Sequence, residues 1–202
     1  YIADGLLQPG EEAPAHQPQL LPGQVKLKNI NGDDKLNEED MVLIGRNDPK
    51  FIFGFNNNFS YKNFDLNIYM YGQVGKIAGA NSYYNAWGSY GNRIKLGQNV
   101  PVSFKDAWSS DNQTSTRPSF IESAYGTGDL FLQKISFLRI RNITLGYTVP
   151  VSKSICNRLR VYADVNNPCV WTNWKGQDPE TDSNTNAYPN VTSFSIGVDI
   201  SF

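Results

Sequence analysis

The last ten residues, "SFSIGVDISF", alternate strictly between apolar and polar positions. Successive side chains of a β-strand point to opposite faces of the sheet, so the pattern predicts a strand with one apolar face and one polar face. In a soluble sheet the apolar face packs on a protein core, whereas in an outer-membrane barrel it contacts lipid and the polar face lines a watery lumen. The apolar face contains Phe194, Ile196, Val198, Ile200 and Phe202.

The same alternation predicts a β-hairpin earlier in the chain. Residues 51–61, "FIFGFNNNFSY", and residues 65–72, "DLNIYMYG", flank the short turn Lys62–Asn63. Each arm has about the length that a tilted strand needs to cross a bilayer, which is about 9–11 residues. These two segments are therefore expected to be membrane-length strands.

Two further strands are predicted between the hairpin and the C-terminal strand. Residues 137–149 alternate, but the apolar positions before and after Arg141–Asn142 are out of phase, which predicts a β-bulge there. Residues 158–167, "RLRVYADVNN", alternate apolar residues with polar and charged ones. The chain is thus expected to contain five long strands.

Short turns and long connections follow one another along these strands. Residues 151–157 form a short turn like the hairpin turn, whereas residues 73–132 and 170–191 lack sustained alternation and are predicted as long loops. Bacterial barrels have this asymmetry, with short periplasmic turns and long external loops. Residues 1–24 are rich in Pro, Gly and Gln and are predicted to be an irregular surface segment.

Composition supports an all-β protein and excludes some functions. Charged residues make up only 18% of the chain while aromatic residues reach 13%, which suits strands joined by polar loops. The net charge is −1, and without a basic tract nucleic-acid binding is not predicted. No stretch approaches the roughly 18 consecutive apolar residues of a transmembrane helix, and the first ten residues lack the features of a signal peptide.

The segment "NINGDDKLNEED" has the ligand spacing of a calcium-binding loop. Two departures weaken the match: its first position is Asn rather than Asp, and Asp34 occupies the position of the sharp turn, where Gly is expected. The segment is therefore either a weak Ca²⁺ site or an Asx-rich turn. Counting Asn29 as position 1, the candidate ligands are Asn29, Asn31, Asp33, the carbonyl of Lys35, Asn37 and Asp40.

Other polar and aromatic groups have simpler interpretations. Asp178 and Glu180 flank Pro179 in a predicted loop, nothing in the sequence indicates their burial, and no catalytic function is predicted. The aromatic residues of the long loops either stack on sugar rings or pack at the membrane boundary. They are Tyr83, Tyr84, Trp87, Tyr90 and Trp108 in the first loop and Trp171, Trp174 and Tyr188 in the second.

Six segments in order resemble the C-terminal part of the SusC/RagA family of TonB-dependent outer-membrane transporters. They are "GQVKLKNINGDDKL", "IGRNDPKFIFGFNNNFSYKNFDL", "SFLRIRNITLGYTVP", "LRVYADVNN", "WKGQDPE" and "FSIGVDISF". The resemblance covers nearly the whole chain. Pro168 and Cys169 depart from it, since the family usually has apolar strand residues there.

The resemblance implies a fold, a location and partners. The fold is an antiparallel transmembrane β-barrel segment, about five C-terminal strands of a plugged barrel of roughly 22 strands. Residues 1–50 are then an extracellular loop region with the calcium-loop-like turn, and residues 51–202 are barrel strands and loops. The implied function is TonB-dependent import of oligosaccharides or peptides through the outer membrane, with a SusD-like surface lipoprotein as partner.

One alternative remains open at this point. A soluble β-sandwich that binds glycans also has strands of alternating pattern and aromatic loops. In that fold the apolar stripe of residues 194–202 contacts a second sheet, whereas in the barrel it contacts lipid and Asp199 faces the lumen. An open sheet of five strands cannot sit in a bilayer alone, so the barrel interpretation also requires further strands at both edges.

Overall fold

The computed structural model describes residues 1–79, 96–97, 99, 102–120, 126–152, 156–176, 178–181 and 187–202. This part of the chain is all-β, as predicted, with two short 3₁₀ helices at Glu38–Asp40 and Val102–Asp106. No helix within it has the length and apolarity to span a membrane. The strands are β1 (Ala3–Leu6), β2 (Val25–Leu27), β3 (Phe51–Tyr61), β4 (Phe64–Gly79), β5 (Leu132–Val149), β6 (Arg158–Thr172) and β7 (Ser193–Ser201).

The five long strands form one sheet in the order β3-β4-β5-β6-β7. The predicted hairpin is confirmed: β3 pairs antiparallel with β4 from Phe51↔Val74 to Tyr61↔Phe64, across the Lys62–Asn63 turn. β6 pairs antiparallel with β5 and with β7. Neighbouring strands along the chain are therefore neighbours in the sheet.

The apolar side chains of β7 lie on one exposed face, which we call the apolar face. On this face Ile196 pairs with Ala163 and Val198 with Val161, so the stripe continues from β7 onto β6. Ile196 is 84% exposed and Val198 is 55% exposed. A β-sandwich would cover such residues with a second sheet, and the described residues place none there.

The predicted irregularity near Arg141–Asn142 is confirmed, although the extra residue of the ladder lies in β6. Ile140 pairs with Cys169 and Asn142 with Asn166, so one residue of β5 opposes two of β6. The two β6 residues are Asn167, whose φ is 49°, and Pro168. Proline has no N–H to donate to the ladder, which explains the interruption at this position.

Three strands extend beyond their predicted ends. β4 continues to Gly79, β5 begins at Leu132 rather than at residue 137, and β6 ends at Thr172, so the long connections are shorter than the sequence indicates. The extension of β4 runs through Gly75, whose φ of 83° breaks the alternation, and its N–H donates to the Ser136 hydroxyl at 3.2 Å. Pairing with a neighbouring strand therefore maintains the strand where its own pattern fails.

The chain divides into two compact units. Residues Tyr1–Gly45 and Gly79–Gln133 form the first, and Arg46–Ala78 and Lys134–Phe202, which contain the large sheet, form the second. Within the first unit β1 pairs antiparallel with β2.

The expectation of an irregular surface segment over residues 1–24 is wrong in part. Leu6 packs with Val25 and Leu27 in a small buried core. The Gln17 side chain is fully buried, and its Oε1 accepts the Leu27 N–H at 2.7 Å. Here the side chain of a glutamine, rather than the backbone of a neighbouring strand, bonds to β2. Such a contact produces no alternation of apolar and polar residues, so the sequence gives no sign of this core.

Candidate functional site

The face of the large sheet opposite the apolar face carries hydrogen-bonded polar side chains, and we call it the polar face. It is defined on β4 by Asp65, Asn67 and Tyr71, which are separated by even numbers of residues and so share a face. The members on the other strands are Asn56 and Asn58 of β3, Arg139, Arg141, Asn142 and Thr144 of β5, Arg160, Tyr162, Asp164 and Asn166 of β6, and Asp199 of β7.

Both halves of β5 contribute to the polar face, but with opposite parity. Before the irregularity, Arg141 stacks its guanidinium over the Tyr71 ring at 5.6 Å. After it, Thr144 Oγ1 lies 2.7 Å from Asp164 Oδ1. The change of phase between Arg141 and Asn142 therefore keeps polar residues on one face along the whole strand.

One arginine links three strands near one end of the polar face. Arg160 donates from Nε and Nη2 to the two oxygens of Asp65, at 2.9 and 2.6 Å, and from Nη1 to Asp199 at 3.1 Å. Its guanidinium also lies over the Tyr162 ring at 5.0 Å. A Cβ at Gly146 would lie 2.4 Å from Arg160 Nη2, so a side chain at this position would displace the guanidinium from its present place. The prediction that Asp199 lies opposite the apolar stripe agrees with this contact.

A second, more buried ion-pair network fixes the connection between β6 and β7 to the sheet. Arg139 donates from Nη2 to Asp178 at 2.8 Å and from Nε to Glu180 at 2.7 Å, and Arg141 pairs with the other Glu180 oxygen. The side chains of Arg139 and Asp178 are each 3% exposed. The expectation that Asp178 and Glu180 are not buried is therefore wrong.

The environment of Asp178 keeps it ionised. Burial alone would raise its pKa, but the N–H groups of Glu180 and Asn190 and the charge of Arg139 outweigh burial and lower the pKa below its ordinary value. A general acid in a glycosidase needs a carboxyl group with a raised pKa. The Asp178–Glu180 pair thus has a structural role in attaching the connection, which is consistent with the prediction of no catalysis.

Sequence reasoning did not find Arg139 and Arg141 as members of this network. In the sequence they occupy alternate positions of a strand and look like ordinary lumen-facing residues. The useful signal was the presence of two arginines in β5 and of two carboxylates in "DPE", because the strongly desolvated part of a polar face favours paired charges.

The predicted calcium loop is a series of turns held by side-chain oxygens. Asn29 Oδ1 accepts the Gly32 N–H at 2.7 Å, and Asp33 Oδ1 accepts the Lys35 N–H at 2.9 Å. The fully buried Asp40 accepts from two backbone groups, Ile30 N–H at 2.7 Å and Asn37 N–H at 3.0 Å. These bonds, that from Asn37 first, hold the pKa of Asp40 below its ordinary value.

Two further candidate ligands, Asn31 and Asn37, take part in the same turns. Asn31 Oδ1 accepts the Asp33 N–H at 3.1 Å, and Asn37 Oδ1 accepts the Glu39 N–H at 2.7 Å. Each of these oxygens has a second lone pair, so the loop's chemistry is compatible with Ca²⁺. Among the described residues, however, no group of three or more His, Cys, Asp or Glu side chains is arranged to hold a metal ion.

The sharp turn of this loop lies at a different residue from the one expected. Gly32 has a φ of 79°, in the left-handed region, whereas Asp34 is not among the non-glycine residues with positive φ. Glycine is therefore required at position 32 rather than at position 34.

Calcium binding by residues 29–40 stays a prediction, which calorimetry on the full-length protein can test. We expect a dissociation constant of about 10⁻⁴ to 10⁻³ M, since only two anionic ligands are present. Asp33→Asn is expected to abolish the calcium heat, and Asp34→Gly to change it little. Asp111→Asn, which removes an exposed charge elsewhere, is the matched control. Absence of calcium heat in the unaltered protein would contradict a calcium site and leave a purely structural turn.

The aromatic residues of the two long connections differ in their surroundings. Trp108 packs against the core of Leu6, Val25 and Leu27, and Trp174 is buried. Trp171 and Tyr188 are 57% and 84% exposed. Packing therefore accounts for the first two. Tyr83, Tyr84, Trp87 and Tyr90 lie outside the described residues.

Comparison with known proteins identifies relatives of the chain. No protein-family model matches it. It is 29% identical over 201 residues to TonB-dependent receptor P3 of Formosa agariphila, which covers 90% of the chain and 19% of the receptor. It is 26% identical over 180 residues to TonB-dependent receptor SusC of Bacteroides thetaiotaomicron, which covers 85% of the chain and 17% of SusC. The chain thus spans about a fifth of the length of these curated relatives.

The fold also matches a solved transporter. The structure of the RagAB peptide transporter superposes with a TM-score of 0.71 at 23% sequence identity, covering 99% of this chain and 22% of the transporter chain. These relatives are named as receptors and transporters and none as an enzyme, in agreement with the sequence prediction. The chain is therefore similar over most of its length to TonB-dependent receptors, SusC among them, and its antiparallel β-sheet has the fold of part of the RagAB transporter chain.

Proposed function

We propose that the chain serves in the TonB-dependent import of nutrients through the outer membrane. The observation that carries this proposal is a sheet with one exposed apolar face and one face of hydrogen-bonded polar side chains. Lipid is the solvent that suits the first face, and a water-filled lumen suits the second. The names of the relatives support the same function.

The edges of the sheet require further strands. Within the described residues β3 pairs only with β4, and β7 only with β6. In hydrocarbon each unpaired backbone N–H or C=O costs several kcal/mol, so both edges need partners. We propose that β7 pairs with the first strand of the same barrel, which closes the sheet.

We propose oligosaccharides or peptides as the nutrients and a SusD-like surface lipoprotein as the partner. Likeness to SusC and to the RagAB peptide transporter supports this choice. We also propose that residues 1–50 are extracellular and that the TonB complex supplies the energy. In this arrangement the exposed aromatic residues Trp171 and Tyr188 are available either to a sugar ring or to the membrane boundary.

Uptake by intact cells tests the proposed function. Cells with and without the full-length protein are given a tryptic peptide digest or a partial polysaccharide hydrolysate, and depletion of the medium is followed by mass spectrometry. We expect depletion of one of the two pools to require both the protein and TonB. Equal depletion in cells that lack the protein would contradict the proposal. Extraction without detergent would contradict the outer-membrane location and favour the β-sandwich.

A further inference from the structure

Asp164 of β6 lies at the centre of the polar face and is held by neutral side chains. Its Oδ1 accepts a hydrogen bond from Asn142 Nδ2 and lies 2.7 Å from the Thr144 hydroxyl. Its Oδ2 accepts from Asn166 Nδ2 at 2.7 Å. These donors fix the orientation of the carboxylate but leave its negative charge uncompensated.

The other carboxylates of the polar face and of the attached connection are paired with arginines. Asp65 and Asp199 contact Arg160, and Asp178 and Glu180 contact Arg139. Asp164 forms no ion pair with any cation of the described residues. It is therefore the one described carboxylate of this surface without a counter-ion from the described residues.

The residues paired with Asp164 across the sheet are small. Its partners across the two ladders are Thr144 on β5 and Ser195 on β7, which are both small and neutral. Arg160 is four residues away along β6, about 13 Å at a rise of about 3.3 Å per residue. Tyr162 is the intervening residue on this face; the Arg160 guanidinium lies over its ring at 5.0 Å, and a Cβ at Gly197 would be 2.3 Å from that ring. Arg160 is thus engaged by Tyr162, Asp65 and Asp199 and forms no ion pair with Asp164.

The geometry points to Asp164 as a recognition site for a primary ammonium group of the transported ligand. This inference rests on the proposed function, because it assumes that the polar face lines the import path. The ammonium group belongs either to a peptide, as a lysine side chain or an N-terminus, or to an amino sugar. In both cases the cation supplies the counter-charge that the described residues do not.

The hydrogen bonds already present favour an ammonium over a guanidinium group. A carboxylate has about four acceptor positions, and Oδ1 has two donors nearby while Oδ2 has one. The Thr144 hydroxyl has a single hydrogen and also lies 2.9 Å from Asn142 Oδ1; directed to Asp164 Oδ1, the nearer acceptor, it leaves one free position, on Oδ2. A guanidinium fork needs both oxygens at once, whereas an ammonium group needs a single oxygen and can turn its other hydrogens to neighbouring acceptors. Asn142 and Asn166 offer such acceptors through their carbonyl oxygens.

Equilibrium binding to the purified full-length protein in detergent tests this site. The first pair of probes is a blocked tetrapeptide with one lysine and the same peptide with that lysine acetylated. The second pair is a glucosamine tetramer and its fully N-acetylated form, so the two sources of the ammonium group are separated. A tetrapeptide with arginine in place of lysine tests the preference for ammonium. The variants are Asp164→Asn, Asp164→Glu and the charge-matched control Asp111→Asn.

We expect the cationic member of one pair to bind about tenfold more tightly than its acetylated form, the gain of one charge-assisted hydrogen bond. Asp164→Asn should abolish this preference, whereas Asp164→Glu and Asp111→Asn should keep it. The arginine peptide should bind more weakly than the lysine peptide. An unchanged preference in correctly folded Asp164→Asn protein, or no preference in the unaltered protein, would overturn the inference.

The uptake experiment separates this inference from the proposed function. If cells import a nutrient pool but the purified protein shows no preference for cationic probes, the ammonium site is wrong and import stands. If the preference is found and depends on Asp164 while uptake does not depend on the protein, the site stands as a binding site and the import function is wrong. Circular dichroism of each variant confirms that the barrel has folded.

Discussion

Replacing Arg139 by methionine is expected to lower the free energy of unfolding by about 3–5 kcal/mol. The guanidinium of Arg139 pairs with Asp178 and Glu180. The side chains of Arg139 and Asp178 are equally buried. Methionine fills part of the volume but leaves a buried carboxylate without its cation. Denaturant unfolding of the full-length protein, refolded into lipid vesicles, measures the change.

A double variant shows whether the loss comes from the unpaired charge. Arg139→Met together with Asp178→Leu removes both members of the pair, and we expect it to recover a large part of the stability, because apolar pairs often replace buried ion pairs without loss. Asp199→Asn is the exposed control, since Arg160 keeps Asp65 as a partner. A loss below about 0.5 kcal/mol in Arg139→Met would mean that the network does not hold the connection.

Replacing Val198 by arginine is expected to destabilise the barrel by about 2–4 kcal/mol if this residue lies near the bilayer midplane. Val198 is near the centre of β7, is 55% exposed on the apolar face and pairs with Val161 on the same face. The new charge would have to leave water for hydrocarbon. The same unfolding measurement in lipid vesicles determines the effect.

The adjacent residue provides the matched control. Asp199 lies on the polar face, and its side chain is 58% exposed where it contacts Arg160, so Asp199→Asn should cost less than about 1 kcal/mol. Similar losses for Val198→Arg and Asp199→Asn would contradict the assignment of the two faces. A small loss for both would show that β7 lies outside the hydrocarbon region.

Alternation of side chains was sufficient to predict most of the large sheet. The β3–β4 hairpin, the C-terminal strand and the phase change near Arg141 all follow from which residues are apolar at every second position. This works because each face of the sheet has its own surroundings, so the pattern has a direct physical cause. The pattern failed in the last part of β4, where Gly75 interrupts it and pairing with neighbours decides the conformation.

Long-range contacts were the part that the sequence did not reveal. The ion pair of Arg139 and Asp178 joins residues 39 positions apart, and neither residue alone differs from ordinary polar positions. The same holds for Gln17, which completes a strand pairing through its side chain. In the calcium-like loop the spacing correctly indicated a series of turns, but the left-handed residue proved to be Gly32, because backbone conformation is not determined by ligand spacing.

The change of phase in β5 makes this strand sensitive to the gain or loss of a single residue. Arg139 and Arg141 reach the polar face from odd positions, and Asn142 and Thr144 reach it from even positions. Deletion of one residue at the junction would shift one half of the strand in phase and so turn its side chains to the opposite face. Either the two arginines of the first half or the amide and hydroxyl groups of the second half would then face hydrocarbon. Evolution can therefore vary the side chains of β5 more freely than its length. Insertions and deletions are expected to accumulate instead in the connections between strands.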